Sequence, residues 1–411
     1  MYRPGILLLL LFLFNITKII AQTTSSPYSM FAEGQMENFG SATNHALGGT
    51  GLAFKSNKYL NNMNPASYSG IDSLSFIFEI GFFGKTTQYI TSNQRQTKYN
   101  ANLSSLALGF RICKWWGISL GVTPYSSLGY TINTTHIVEG DLSTYLKTYE
   151  GSGGINQFYF GNSFRPIKSL SLGINLSYIL GSITKTETGS TIDNYVAYSI
   201  SEVTKIHSTY LSFGTQYTLE HNNWKYTLGA VFGNSKELNT SNEMFLMFAE
   251  ETLDLEAENK KFILPTKYGI GFALEYGERF KAGFDYERRN WSEVKKYSSS
   301  VLETRDNERY SAGFEYLPYK SRRDEGLKKV YYRLGFNFNK RYLIINDKAI
   351  NSKSINFGFG IPIKWERSMI NIAFELGSLG TTSKGLIKEN YGVLHINFTM
   401  SDIWFQKRKY K

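Results

Sequence analysis

Residues Leu170–Leu180 read LSLGINLSYIL. Leu170, Leu172, Ile174, Leu176 and Tyr178 fall on one side of an extended chain. Ser171, Gly173, Asn175 and Ser177 fall on the other, because residues two apart share a face of a strand. The alternation returns in YYRLGFNFN (Tyr331–Asn339) and INFGFGIPI (Ile355–Ile363). One face is large and apolar and is flanked by aromatics such as Trp224, Tyr226, Tyr268 and Tyr276; the other is Gly, Ser and Asn with few long charges. A soluble sandwich would hide the apolar face and solvate the other. Small polar residues inside and an aromatic-edged apolar band outside describe a membrane-spanning β-barrel.

Such segments fall near 74–90, 99–112, 116–132, 152–165, 169–185, 205–219, 223–238, 264–277, 279–294, 305–318, 329–342, 352–367, 369–380 and 391–405. That predicts an all-β, antiparallel barrel of about fourteen strands, an even number as closure requires. Short connections (Cys113–Trp115, Glu220–Asn223, Gly277–Glu278) alternate with longer ones (Asn133–Gly151, Asn239–Ile263). Short periplasmic turns, long external loops and both termini on the inner side fit that order. Unpaired backbone in lipid costs several kcal/mol per group, so the last strand is expected to pair with the first.

The composition narrows the alternatives. Among 411 residues there is a single cysteine, Cys113, which excludes an internal disulfide or a cysteine metal cluster. The net charge of +11 is scattered, apart from the tail FQKRKYK, and no nucleic-acid module accompanies it. Arg3, the apolar run Ile6–Phe14 and Ala21 make residues 1–21 a secretory signal peptide, with cleavage expected after Ala21. Export to a Gram-negative outer membrane follows. The histidines His45, His136, His207, His221 and His395 sit in no catalytic or metal-binding sequence pattern, so neither an enzyme, a cofactor nor a metal is expected.

Residues 22–73 lack the alternation. They carry Gly48, Gly49 and Gly51, then Asn57, Asn61, Asn62 and Asn64. A phosphate loop would need Lys-Ser/Thr after its second glycine, whereas Leu52 and Ala53 follow Gly51. A barrel of this size would otherwise enclose a wide aqueous lumen. Glycines allow close backbone approach and Asn side chains satisfy polar wall groups, so this region is expected to be a plug.

The stretch ALGGTGLAFKSNKYLNNMNPAS, Ala46–Ser67, resembles the N-terminal hatch of the long-chain fatty acid transporter (FadL) family. The resemblance implies a hatch at 22–73 with the motif Gly48, Gly49, Gly51, Asn64, Pro65 and Ala66. It also implies a barrel at 74–405 and passive uptake of hydrophobic or amphipathic molecules, released sideways through a kink in the third strand. In that strand the apolar face breaks at Pro124, Tyr125, Ser126 and Ser127, where proline cannot donate to a ladder; these are the candidate lateral opening. Met244, Phe245, Leu246, Met247 and Phe248, on the external loop 239–263, form a candidate apolar capture surface, or a contact with lipid or a partner.

Charges at Arg111, Lys225, Glu275, Lys281, Asp285, Glu287, Glu315, Arg333 and Glu375 face the lumen in mixed signs, expected to neutralise one another across the wall. The expected partners are a small-molecule ligand and outer-membrane lipid. A second reading makes the barrel a non-transporting subunit of a secretion or assembly complex, docked to a protein partner through the 406–411 basic periplasmic tail and the 317–329 turn.

Overall fold

The computed structural model describes residues 26–31, 34–37, 40–137, 144–191, 196–248, 251–258, 261–294, 302–318, 326–363 and 368–403. The expected signal peptide and basic tail, and part of the 317–329 turn, lie outside them. In chain order the elements are β1 (Gln35–Met36), the short helix α1 (Ala42–Ala46), β2 (Ser75–Ile90), β3 (Arg95–Cys113), β4 (Trp116–Ile137), β5 (Thr144–Ile167) and β6 (Leu170–Thr191). There follow β7 (Val196–His221), β8 (Trp224–Gly233), β9 (Lys236–Glu237), β10 (Asn239–Phe248), β11 (Glu251–Leu255), β12 (Ile263–Leu264), β13 (Lys267–Tyr276) and β14 (Phe280–Arg289). The last are β15 (Leu302–Thr304), β16 (Asn307–Tyr316), β17 (Tyr331–Ile345), β18 (Lys348–Ile363), β19 (Ser368–Leu379) and β20 (Lys388–Ile403).

Strands β2 to β8, β13, β14 and β16 to β20 form the wall, fourteen antiparallel neighbours in chain order. Closure comes from β20 on β2, Ser75 opposite Ile403 through to Ile90 opposite Lys388. No sheet edge is left to lipid along this seam, which is the condition for spanning a membrane with strands. The faces are as the alternation requires. Leu172, Leu176 and Tyr178 are between 43% and 49% exposed, whereas Ser171, Asn175 and Ser177 are at most 5% exposed. Apolar side chains look outward and small polar ones look in. Among the described residues no helix is long and apolar enough to cross a membrane.

Hairpin chemistry fits the short turns. Asn346 and Asp347 both take positive φ (51° and 56°) between β17 and β18, the backbone of a type I′ turn that matches strand twist. Asn222 (φ 54°) serves the β7–β8 turn.

Two expectations are corrected. The connections expected at 133–151 and 239–263 are largely strand: β4 to β7 run well past the apolar band, and the β5–β6 ladder continues out to Tyr145 opposite Thr191. Their threonine-rich alternation (TINTTHI, SITKTETGST) favours extended backbone wherever a neighbour offers a ladder. Likewise Met244–Phe248 lie on β10, not on a loop. β10 pairs with β7 from Asn239–His207 to Phe248–Tyr198, and Glu251–Leu255 fold back on it as β11. The result is an external sheet, β4-β5-β6-β7-β10-β11, standing on one side of the barrel.

Candidate functional site at the plug and the parted strands

The lumen is filled by the chain's own beginning, held by backbone-directed hydrogen bonds around the circumference. Ala42 N–H donates to Asn397 Oδ1 on β20 (2.9 Å); Gly51 and Leu52 N–H donate to Asp285 Oδ2 on β14 (2.6 and 2.8 Å). Asn337 Nδ2 on β17 donates to the Gly48 carbonyl (3.0 Å), Gln216 Nε2 on β7 to Leu52 (3.0 Å), and Ser163 Oγ on β5 to Ala66 (2.9 Å). Wall glycines make the fit possible. A Cβ on Gly335 would stand 2.0 Å from Gly48 N, and one on Gly229 would stand 2.1 Å from the Leu52 oxygen. The Gly-rich inner face is therefore the negative of the plug.

The predicted plug motif is brought together in part. Gly48 (φ +69°) abuts the Phe336 backbone, and Gly49 (φ +83°) lies against Arg309. Asn61 Nδ2 donates to the Gly51 and Phe54 carbonyls (2.6 and 2.9 Å), tying the glycine turn to the asparagine run. Asn64 caps the 3-10 turn Pro65–Gly70, its Oδ1 accepting from Ala66 N–H (3.0 Å) while its Nδ2 donates to Leu52 and Thr215 carbonyls. Asn-Pro-Ala is thus a start signal for a tight turn that presses on β6 and β7.

The third wall strand, β4, carries the expected irregularity. Its register with β5 shifts between Pro124 and Ser126, leaving Tyr125 as the extra residue. On the other side the β3–β4 ladder runs from Cys113–Trp116 to Leu106–Val122 and stops. Above it β4 takes a different partner: β1, with Met36 opposite Ser126 and Gln35 opposite Ser127, continued by Glu37 N–H to the Tyr125 carbonyl (3.0 Å). Ser26 N–H also donates to the Gly129 carbonyl (2.9 Å). Residues 26–31 and 34–37 form a strap along β4, a feature the sequence did not signal. Met36 packs against two apolar clusters that fill the outer lumen, one around Trp291, Tyr342 and Ile350, the other around Leu128, Ile155 and Ile206.

Where β3 and β4 part lies a cavity of about 90 Å³, lined by Glu37, Phe83, Ser104, Thr123 and Pro124 and floored by His45, His395 and Glu375. The two imidazoles stack at 3.9 Å between centroids, one from the plug and one from β20. Burial pushes His45 below its ordinary pKa. No sequence spacing could show this pair, because its members are 350 residues apart.

Six of the nine lumenal charges form the expected compensating network, while Asp285 accepts from plug backbone and Glu375 faces the histidines. Glu275 bridges Lys225 (3.5 Å) and Lys281 (3.4 Å), Glu315 holds Arg333 (2.5 Å), and Glu287 joins Lys267 (3.0 Å) and Arg309. Arg111 instead donates to the Ile71 carbonyl (3.1 Å) at the plug's end. Beneath the plug a vestibule of about 500 Å³ is rimmed by Lys55, Lys58, Arg165 and Lys168. On the external sheet, β10 splits the predicted apolar run. Met244, Leu246 and Phe248 share a face with Leu253 and Leu255 of β11, and Phe245 and Met247 point the other way.

A closed fourteen-strand barrel stoppered by its N-terminal segment is the architecture of FadL-type outer-membrane channels. The Pseudomonas putida toluene transporter TodX superposes with a TM-score of 0.60 at 15% identity, covering 90% of this chain and 100% of its own. The CymD monoaromatic hydrocarbon channel gives 0.59 at 14% identity (92% and 100% covered), and a Pseudomonas aeruginosa FadL homologue gives 0.56 at 10% (90% and 100%). The shared fold is thus that expected from Ala46–Ser67. At the level of sequence, residues 1–411 match the BamG family model, and the chain belongs to the BamG family. No curated protein matches it.

Proposed function

We propose that this chain is an outer-membrane barrel for passive movement of hydrophobic or amphipathic small molecules, released sideways between β3 and β4. The observation that carries this reading is the parted seam: the β3–β4 ladder ends at Leu106–Val122, a cavity sits behind it, and the strap occupies the edge. Pro124–Ser127 act as the lateral opening, and the Gly48–Ala66 segment closes the path below. The structural relatives named for toluene and monoaromatic hydrocarbons support this substrate class. The space behind the seam is about 90 Å³, against roughly 300 Å³ or more for an ordinary ligand pocket, so on this reading the seam is shut here. Opening then requires the strap to leave β4.

Met36 and Ser126 are directly opposed, so a cysteine pair there can form a disulfide. In a Cys113→Ser background, Met36→Cys with Ser126→Cys is expected to abolish uptake of a labelled aromatic hydrocarbon or long-chain fatty acid when oxidised and to restore it on reduction. Equal uptake in both states removes the side-exit mechanism.

A second reading, the non-transporting subunit of a membrane complex, is favoured by different observations. Apolar clusters fill the outer lumen, the plug is hydrogen-bonded around the wall, and the family assigned by sequence is not that of the transporters sharing the fold. On this reading the external sheet and Met244–Phe248 are the docking surface. A stoichiometric protein partner after gentle solubilisation, with no bound hydrocarbon or lipid in the lumen, selects it.

A further inference from the structure

We propose that His45, His395 and Glu375 form a binding site for a first-row transition metal, with Zn²⁺ as the natural candidate, that fastens the plug to the wall. The three side chains come from separate elements: His45 from α1, Glu375 from β19 and His395 from β20. One ligand atom from each lies within 4.8 Å of the others. Ligand atoms around a tetrahedral Zn²⁺ stand about 3.3 Å apart given Zn–N and Zn–O lengths near 2.0–2.2 Å; because the stacked imidazoles lie only 10° from parallel, metal entry turns one ring out of the stack so that both in-plane lone pairs converge.

His395 supplies the independent observation. It is 6% exposed, yet neither ring nitrogen has a hydrogen-bond partner. Buried imidazole nitrogens are normally satisfied, and one with both orphaned calls for an explanation. Glu375 Oε2 stands 3.9 Å from His395 Nε2, too long for a hydrogen bond. The other carboxylate oxygen accepts from Tyr391 Oη (3.2 Å), which fixes the group with Oε2 toward the histidines. An outer-shell hydrogen bond of that kind orients a metal-ligating carboxylate. Two imidazoles and one carboxylate suit Zn²⁺, Co²⁺, Ni²⁺ or Cu²⁺ better than Ca²⁺ or Mg²⁺. The cavity beside them leaves room for a water as fourth ligand. The site does not depend on whether the barrel transports, because it is built entirely from plug and wall.

The test uses the full barrel in detergent, stripped with a chelator and then titrated with Zn²⁺ or Co²⁺. One equivalent per chain is expected by elemental analysis, with a visible Co²⁺ spectrum of nitrogen–oxygen tetrahedral type. His395→Ala and Glu375→Gln are each expected to weaken binding at least tenfold, with heat-modifiable migration confirming that the barrel has closed. Zn²⁺ should also slow protease cleavage within residues 40–70 in the wild type and not in His45→Ala. A wild-type barrel that takes up no metal at micromolar concentration overturns the proposal, as does equal binding by all variants.

Discussion

Gly335 shows how much one missing methyl group decides. Its Cβ would meet Gly48 N at 2.0 Å and Leu47 C at 2.3 Å, both backbone, so nothing there yields by rotating. Gly335→Val is expected to expel the plug from this side of the wall while the barrel still closes. It should destabilise by about 1–3 kcal/mol, as overpacking does, and expose residues 40–70 to protease. Gly84→Ala is the control: nothing lies within 4 Å, and no change is expected. Lys55 offers a pH probe. Its Nζ donates to Ser171 Oγ (2.8 Å), and burial, then the nearby Lys225, Arg165 and Arg111 charges, lower its pKa to about 8. Between that value and the ordinary 10.5 the unfolded chain binds more protons than the folded one, so stability rises with pH across this window. Chemical-denaturation midpoints should increase from pH 8 to pH 10, and Lys55→Met should flatten the rise.

At the scale of elements, the alternation of LSLGINLSYIL and its kin was enough to read strands, faces and count. Strand period is a local property, and a lipid-facing wall enforces it along the whole ladder. The Pro124 break was legible for the same reason: proline interrupts the pattern where it stands. What was not legible depends on partners distant in sequence. Gln35 and Met36 have no alternation around them, and they become strand only because β4 presents an edge. β10 looked like loop because its ladder partner on β7 lies 32 to 50 residues upstream, and β11 pairs only with β10. His45 and His395 each look inert in isolation. Replacing Pro124–Ser127 with a regular Val/Thr strand is expected to extend the β3–β4 ladder past Leu106–Val122. Folding should survive and uptake should fall several-fold; unchanged uptake would leave the bulge with a structural role alone.

For the molecule as a whole, the wall and the β10–β11 hairpin are separable, while the rest of the external sheet is the outward continuation of wall strands β4 to β7. β8 pairs directly with β13, Gly233 opposite Lys267, so the insert between them contributes nothing to closure at that point. Deleting residues 239–257 is expected to leave heat-modifiable migration intact. It should also remove the apolar face of Leu246, Phe248 and Leu253, and with it any partner that co-purifies through that face. Retained hydrocarbon uptake together with a lost partner would divide the two functional readings cleanly between the two halves of the structure.

The plug's anchors also set an order of events in biogenesis. Ala42 needs Asn397, near the far end of the chain, and Gly51 needs Asp285. The stretch that leaves the ribosome early can therefore reach its final place only after β20 has been made and has zipped onto β2. Until then the nascent cylinder stays unstoppered and its glycine-lined interior stays wet. Any factor that delays the last strand prolongs a leaky intermediate, whose threat to the cell is permeability as well as misfolding.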